Sequence, residues 1–570
     1  MDVENKRKMY EQKQESMKIL SKYANVINLV LTDYNRKSAD ETMMIKSFRK
    51  SDPESTNRKT HPENLENIAG FMAEGIGLNV PVVRLMGRFH DIGHTFMGHS
   101  GEWWLSEIKK NLGLGCYVHN SLGVRDLLYT HNVVEEIRSA LYSVYADNPN
   151  KKDEEIEKVC EDLWLIFDGI NSHNGELSES TYIPNIEKTK EDFEQELMDC
   201  HVIEGYDKKL VPATAEAALM RLCDKISYIP YDMIDGLREG MINKLDEKYM
   251  DVLVPILTSD GKMKAEEAVL FINNAVAKQK YHELAHKLQL IFAKDVIQNS
   301  TKEKIAMSDK MSERMHKLRD INNEKVVKYV LMKEDHQIYP KALEELMHEC
   351  KDIIKKENIL FRLNGANKDI KLSQELTEKY QDTPYLGFVQ YIARTTKEDF
   401  EWTKKMIEKA KKQAITDEVN EAFQIFRGEK KGKKVKGQEQ RERRIKIYTK
   451  LFEEQTRKMR EEGHVCEESD FEKMKEFQQR CMMRSYPSEE EGLCLEFATK
   501  YLANLSDTEF MNLLRSTGKV NDEQFQSLTR KYKEIDLKKE YMTHGQWDKI
   551  SAEQSQATNQ TSRKNDEKSG

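Results

Sequence analysis

The 570-residue sequence is poor in the residues that interrupt helices, with 11 prolines and 26 glycines. It has no uninterrupted run of about 18 apolar residues, the length that a membrane-spanning helix requires. Its first residues, MDVENKRKMYEQKQES, lack the apolar segment of a secretory signal peptide. The eight cysteines occur singly with no C-x-x-C pair, as in proteins with reduced thiols. These absences argue against a membrane protein or a secreted disulfide scaffold and predict a cytoplasmic protein.

Apolar residues recur at intervals of three and four, which is the period of an amphipathic helix. Residues 18–31 and 134–145 show this period. Clear strand alternation is almost absent, and Pro62 and Pro81 fall where the first turn of a helix tolerates proline. We therefore predict an all-α fold.

Composition divides this chain into segments. The stretch GEKKGKKVKGQEQRERRIK has almost no apolar residues and is interpreted as a solvated loop rather than a nucleic-acid patch. The formal charge of -8 likewise argues against wholesale nucleic-acid binding. We predict an N-terminal helix at 1–40, a core at 41–300, a helical extension at 301–427, a charged linker or loop at 428–446, a C-terminal helical region packing on the core at 447–545, and a disordered tail at 546–570.

The most informative segment is HDIGHTFMGHSGE at residues 90–102. A divalent metal takes neutral imidazoles and carboxylates from several directions, and the adjacent pair His90 and Asp91 supplies one of each. Two ligands do not complete a site, so others must come from facing helices, as in the metal sites of helical bundles. The candidates are His61 and Asp224, which complete the order H…HD…D. We predict that these four residues bind a divalent ion (Mn, Mg, Fe or Co).

That order resembles the HD-domain phosphohydrolases, and further segments narrow the resemblance to the deoxynucleoside triphosphate triphosphohydrolases, the dGTPase-like family. The similar segments, in family order, are R-x-x-H ending at His61, HDIGHTFMGHSGE, CYVHNSLGVRDLL (116–128), FDGINSHNGE (167–176), VPATAEAALMRLCDKISYIPYDMIDGLREGMI (211–242) and FATKYLANLSDTEFMNLL (497–514). The resemblance implies an HD-domain helical bundle with an additional helical C-terminal region. It also implies hydrolysis of a deoxynucleoside triphosphate to deoxynucleoside and tripolyphosphate, by attack of water on the α-phosphate.

Catalytic roles follow from the same resemblance. Residues matching His99 and Glu102 lie by the scissile bond, and their spacing of three places them on one helix face. We expect Glu102 to orient or deprotonate the attacking water and His99 to act in proton transfer. His94, one turn after His90, is expected to contact the α-phosphate.

Substrate-binding residues are also implied by the resemblance. Arg58 and Lys225 would bring positive charge to the phosphates. Tyr228 and Asp232 follow Asp224 by four and eight residues along one helix face, and would hold the deoxyribose. The remaining residues expected to line the cavity are His119, Asn120, Arg125 and His173.

Several alternatives and open points remain at this stage. The chain could be an HD-domain phosphohydrolase for another nucleotide, such as a monophosphatase or phosphodiesterase, or a nucleic-acid-binding helical protein with a degenerate core. HELAH at 282–286 fits the zinc-protease pattern H-E-x-x-H, but no distinctive third ligand follows, which favours an ordinary helix face. The stretch 43–61 lacks a glutamine that the family carries, so the base preference stays open. The resemblance implies a homo-oligomer, with single-stranded nucleic acid as a candidate regulator.

Overall fold

The computed structural model describes residues 3–34, 59–146, 153–174, 179–327, 338–365, 370–429, 439–461, 468–482 and 486–524. Within these residues the elements are almost all helices, and two short strands, β1 (Thr181–Tyr182) and β2 (Ile305–Ala306), pair antiparallel. The prediction of an all-α fold is confirmed. Arg58 and the tail predicted at 546–570 lie outside the described residues.

The helices of residues 3–322 form the compact region that contains the candidate metal centre. A π-helical turn, Asp126–Thr130, continues directly from the end of the fifth helix, and a second, Asn323–Val327, lies later in the chain. In chain order the helices are α1 (Val3–Thr32), α2 (Thr60–Ile76), α3 (Val80–Phe89), α4 (Gly98–Asn111), α5 (His119–Arg125), α6 (Val133–Val144), α7 (Asp153–Asp162), α8 (Trp164–Asn171), α9 (Lys190–Val202), α10 (Ala215–Arg238), α11 (Glu247–Leu257), α12 (Ala265–Ala277), α13 (Tyr281–Asn299) and α14 (Asp309–Asn322).

The later helices return to pack against this region. They are α15 (Ile338–Lys356), α16 (Ile359–Gly365), α17 (Ile370–Tyr380), α18 (Leu386–Ile392), α19 (Lys397–Phe426), α20 (Glu439–Glu461), α21 (Glu468–Met482), α22 (Glu489–Ala503) and α23 (Asp507–Ser516). Residues 439–446, which we predicted as part of a linker or loop, form the first two turns of α20. Ile445 lies among their charged side chains, and Tyr448 and Phe452 follow at helical spacing. This apolar face of α20 packs into the smaller apolar core. Residues 430–438 of that segment lie outside the described part.

Helix α10 is the central element of the core. It packs against α2, α3, α8 and α13, and nearly all of its residues are buried. Thr214 begins it by accepting a hydrogen bond from the Ala217 amide, 3.2 Å away, which satisfies one of the unpaired donors of the first turn. Because α2 and α3 also pack on each other, side chains from three helices converge at one place.

Two apolar cores stabilise the described residues. The larger one joins residues of α1 through the first half of α19 to residues of α22 and α23. The smaller one joins the end of α19 to α20 and α21 through a cluster of phenylalanine rings: Phe423, Phe426, Phe452 and Phe471. Among the described helices, none is both long enough and apolar enough to cross a membrane.

Candidate metal centre

Four side chains from three parts of the chain meet where α2, α3 and α10 pack together. His61 lies in the first turn of α2, and His90 directly follows α3. Asp91 is the next residue, and Asp224 lies in the middle of α10. Both histidines are buried, and the carboxylates are partly exposed.

The donor atoms of these residues are spaced as ligands of one ion would be. His61 Nε2 lies 3.1 Å from His90 Nε2 and 3.3 Å from Asp224 Oδ1. His90 Nε2 lies 3.2 Å from Asp91 Oδ1 and 3.6 Å from Asp224 Oδ1. Neighbouring ligands held about 2.0–2.2 Å from a shared ion lie about 3 Å apart. The buried His/Asp cluster can therefore hold a metal ion.

Protonation states in this cluster suit a cation. His90 Nδ1 lies 2.7 Å from the Gly87 carbonyl oxygen, which only accepts, so Nδ1 donates and Nε2 keeps its lone pair. Burial lowers the pKa of His90 despite the nearby Asp91 and Asp224 carboxylates. Burial would raise the pKa of Asp224, but the hydrogen bond from His61 and the electrostatic interaction with the His90 ring outweigh it and lower that pKa to about 2. The imidazole is thus neutral and the carboxylate ionised, as metal ligation requires.

His173 is a further neutral imidazole beside these residues. Its Nδ1 donates to the Ile170 carbonyl oxygen at 2.6 Å, and its ring centroid lies 5.0 Å from that of His90. Burial, followed by the electrostatic effects of His90 and His119, lowers the pKa of His173 to about 4. Sequence analysis assigned His173 to the wall of a substrate cavity, whereas the structure places it within 4.8 Å of donor atoms of His90 and Asp91.

A second histidine group also adjoins Asp91. Asp91 Oδ1 lies 3.8 Å from Nε2 of both His94 and His119, whose rings stack with centroids 3.9 Å apart. Glu102 Oε1 accepts a hydrogen bond from the His119 amide at 3.1 Å and lies 2.9 Å from His119 Nδ1. Glu102 therefore holds the proton on Nδ1 and directs Nε2 of His119 towards Asp91.

Two glycines allow the loop after Asp91 to reach α5. A Cβ atom on Gly93 would lie 1.9 Å from the His119 carbonyl oxygen, and one on Gly123 would lie 2.6 Å from the Gly93 nitrogen. Tyr117 adds a hydrogen bond from its hydroxyl to the Gly93 carbonyl oxygen at 2.7 Å. Only glycine permits this backbone contact, which brings His119 to the metal cluster.

Lys225 follows Asp224 on α10, and α10 packs against α14, which carries His316 and Arg319. Lys225 is buried, and its Nζ lies 3.3 Å from the Tyr182 hydroxyl of β1. Burial lowers the pKa of His316 on α14, and the positive charges of Lys225 and Arg319 add to this shift. The sequence predicts a role for Lys225 but not for His316 or Arg319, because nothing in α14 relates them to a residue about 90 positions earlier.

Tyr228 and Asp232 lie one and two turns beyond Asp224 on α10, and both are partly buried. Burial raises the pKa of Asp232 well above its usual range, and the negative charges of Asp235 and Asp224 add to the shift. The placement matches the expected helix face. The pKa direction shows a carboxyl that retains its proton more readily than an exposed one.

Two expected cavity residues are engaged elsewhere. Asn120 donates from Nδ2 to the Asn171 carbonyl oxygen at 2.8 Å. Arg125 is fully buried and donates to Glu496 of α22 at 3.0 Å and to Asp399 of α19 at 3.3 Å. These contacts do not support the expectation that Arg125 binds substrate.

The other residues predicted from the sequence are His99, Arg58 and the two histidines of HELAH. His99 lies in the first turn of α4, but its side chain is outside the described part of the structure, as is all of Arg58. His282 and His286 of HELAH are exposed on α13, and His282 Nδ1 lies 3.3 Å from the Tyr231 hydroxyl. Neither belongs to a potential metal cluster among the described residues, so the expectation of an ordinary helix face agrees with the structure.

Known proteins share sequence with part of this chain. A Rickettsia bellii protein named deoxyguanosinetriphosphate triphosphohydrolase-like is 27% identical over 288 residues, which cover 48% of this chain and 64% of that protein. Proteins of the same name are 26% identical over 287 residues in Rickettsia felis (48% and 64%) and 28% identical over 201 residues in Bradyrhizobium diazoefficiens (35% and 44%). The matches thus span less than two thirds of each relative. No protein-family profile matches the chain.

Proposed function

We propose that this protein hydrolyses deoxynucleoside triphosphates to deoxynucleoside and tripolyphosphate, by attack of water on the α-phosphorus. The observation that carries the proposal is the convergence of His61, His90, Asp91 and Asp224 beside the hydrogen-bonded pair Glu102 and His119. The names of the partly matching relatives support a nucleotide triphosphate as substrate. A cytoplasmic location and a homo-oligomeric state belong to the same proposal.

A divalent ion bound by the four ligands would act as a Lewis acid on a phosphoryl oxygen. His119 provides proton transfer. Glu102 holds the Nδ1 proton and stabilises the charged ring, so His119 Nε2 can give a proton to the departing 5′ oxygen of the sugar. This assignment differs from the sequence interpretation, which placed water activation on Glu102 and proton transfer on His99. The revision rests on the two hydrogen bonds that Glu102 Oε1 accepts from His119.

Binding of the substrate is assigned to residues around this centre. His94 stacks on His119 beside Asp91, where its ring can donate to an α-phosphate oxygen. Lys225 of α10 and Arg319 of α14, a helix that packs on α10, are assigned to the triphosphate as positive charges. Tyr228 and Asp232 extend along α10 from Asp224 and are proposed to hold the deoxyribose, with the ring against C2′.

Product analysis tests the proposal. Purified protein is incubated with each of the four dNTPs and Mn²⁺, and deoxynucleoside, tripolyphosphate, pyrophosphate and orthophosphate are separated by ion exchange. We expect deoxynucleoside and intact tripolyphosphate in equal amounts, and neither product from the Asp224→Asn variant. Release of pyrophosphate or orthophosphate by the wild type would contradict the proposal and indicate another class of nucleotide phosphohydrolase. Equal turnover by the variant would show that the activity does not come from this centre.

A further inference from the structure

The loop between His94 and α4 is held by a residue from the far end of the chain. The Met97 amide donates a hydrogen bond to Asp507 Oδ1 at 2.6 Å, and the contact is buried. Asp507 is the first residue of α23 and lies 410 positions after Met97. A carboxylate from α23 thus binds directly to the HDIGHTFMGHSGE segment.

Met97 has an unusual backbone conformation at this point. Its φ is 56°, in the left-handed region that residues other than glycine rarely adopt. Met97 also precedes the first turn of α4, so its conformation sets the direction in which that helix leaves the loop. A charged acceptor bound to its amide stabilises this conformation where the side chain itself disfavours it.

An aromatic contact reinforces the hydrogen bond. The ring of Phe96 stacks on that of Phe510 with centroids 3.7 Å apart and planes 13° from parallel, and both rings are fully buried. Asp507 and Phe510 are three residues apart on α23 and therefore lie on one face of it. The helix contacts two consecutive loop residues, Phe96 and Met97, which defines the position of the loop more closely than either contact alone.

The helix before α23 is itself anchored to both helices that carry the proposed proton-transfer pair. Glu496 of α22 accepts from Lys109 of α4 at 3.2 Å and from Arg125 of α5 at 3.0 Å. Lys500 of α22 donates to Asp399 of α19 at 2.7 Å. All of these groups are buried. Their hydrogen bonds hold α22 rigidly, and α22 in turn positions α23 against the loop.

We propose that Asp507 is a positioning residue for the reaction: by holding the Met97 amide it orients the start of α4 and so keeps Glu102 in hydrogen-bonding reach of His119. The role rests on the proposed function. Because Asp507 acts through the loop and not on the substrate, its loss is expected to reduce kcat while KM changes little. A misplacement of about 1 Å in a reacting group lowers rates by up to about 100-fold.

Three variants separate positioning from general stability. Asp507→Ala removes the acceptor, whereas Asp507→Asn keeps an oxygen at the same place. Ser506→Ala is the matched control, since it removes the hydroxyl that accepts from the Glu509 amide and weakens the same helix without touching Met97. We expect kcat to fall about 10- to 100-fold in Asp507→Ala, to recover largely in Asp507→Asn and to stay near wild type in Ser506→Ala.

Hydrogen–deuterium exchange of residues 93–103 provides a readout that does not depend on turnover. We expect faster exchange there in Asp507→Ala than in Ser506→Ala. Unchanged exchange and unchanged kcat in Asp507→Ala would overturn the inference, and so would equal losses of kcat in Asp507→Ala and Ser506→Ala. If the wild type cleaves no dNTP, the proposed function fails. The exchange comparison still decides whether Asp507 holds the loop.

Discussion

Replacement of Glu102 by glutamine tests the proposed proton-transfer pair. Glu102 Oε1 accepts hydrogen bonds from the amide and, at 2.9 Å, from Nδ1 of His119. Glutamine keeps the shape but removes the negative charge that stabilises a protonated His119 ring. A hydrogen bond to a charged group contributes about 1.5–3 kcal/mol. Because each 1.36 kcal/mol changes a rate tenfold, we expect kcat to fall by about 10- to 150-fold.

The partner substitution gives the second side of a double-mutant cycle. His119→Gln removes the proton-transfer group itself, and general acids contribute about 10²- to 10⁴-fold to a rate. If Glu102 acts through His119, adding Glu102→Gln to His119→Gln should lower kcat no further. The measurements are kcat at saturating dNTP and the affinity for Mn²⁺. Only the affinity for Mn²⁺ should stay near that of the wild type in each variant.

A control near the pair measures the effect of local destabilisation. Ser121→Ala removes a buried hydrogen bond of 2.7 Å to Asn171 Oδ1, two residues from His119, and should leave kcat within a few-fold. Retention of near-normal kcat by Glu102→Gln would refute the role of Glu102. Multiplying losses in the double variant would show that Glu102 and His119 act independently, as the sequence interpretation of Glu102 implied.

Other predictions address the metal, the acid response and the buried ion pairs. Asp224→Asn should lower the affinity for Mn²⁺, which calorimetry measures. The loss should exceed the roughly 10- to 100-fold that follows removal of a residue that only hydrogen-bonds to a metal ligand. Burial, followed by the charges of Arg125 and Lys109, lowers the pKa of His201 well below its usual value. Below pH ~6.5 the folded state therefore binds fewer protons than the unfolded state. The stability that the neutral ring contributes above pH ~6.5 is lost as the pH falls below that value. His201→Leu should consequently flatten the dependence of the urea midpoint on pH between pH 7 and 5. Arg125→Met should lower the free energy of unfolding by about 3–5 kcal/mol, because Glu496 and Asp399 lose a buried partner.

Each of these predictions has an outcome that contradicts it. Wild-type Mn²⁺ affinity in Asp224→Asn would exclude Asp224 as a ligand. An unchanged pH profile in His201→Leu would show that other groups govern the acid response. A stable Arg125→Met protein with a strongly raised KM for dNTP would restore the original expectation that Arg125 binds substrate.

The metal cluster could be assembled from sequence because its members stand in a recognisable order. The adjacent pair His90 and Asp91 suggested the chemistry, and the H…HD…D order selected His61 and Asp224, which the structure brings within 4 Å of the pair. Helix periodicity predicted the all-α fold because apolar spacing of three and four is local information.

Contacts between distant segments could not be read in the same way. The resemblance of CYVHNSLGVRDLL to the family segment placed Arg125 in the cavity, but the acidic partners of Arg125 stand 274 and 371 residues later. The pairing of Glu102 with His119 depends on the approach of Gly93 to Gly123, which neither motif encodes. Asp507 belongs to a recognised segment, yet its contact with Met97 requires the packing of α23 on the loop.

Isotope labelling tests the central claim most directly. The wild-type protein is allowed to cleave a dNTP in ¹⁸O-labelled water, and the products are analysed by mass spectrometry. Attack of water on the α-phosphorus predicts one ¹⁸O atom in tripolyphosphate and none in the deoxynucleoside, which keeps its 5′ oxygen. Label in the deoxynucleoside, or in orthophosphate or pyrophosphate released directly from the substrate, would contradict the account.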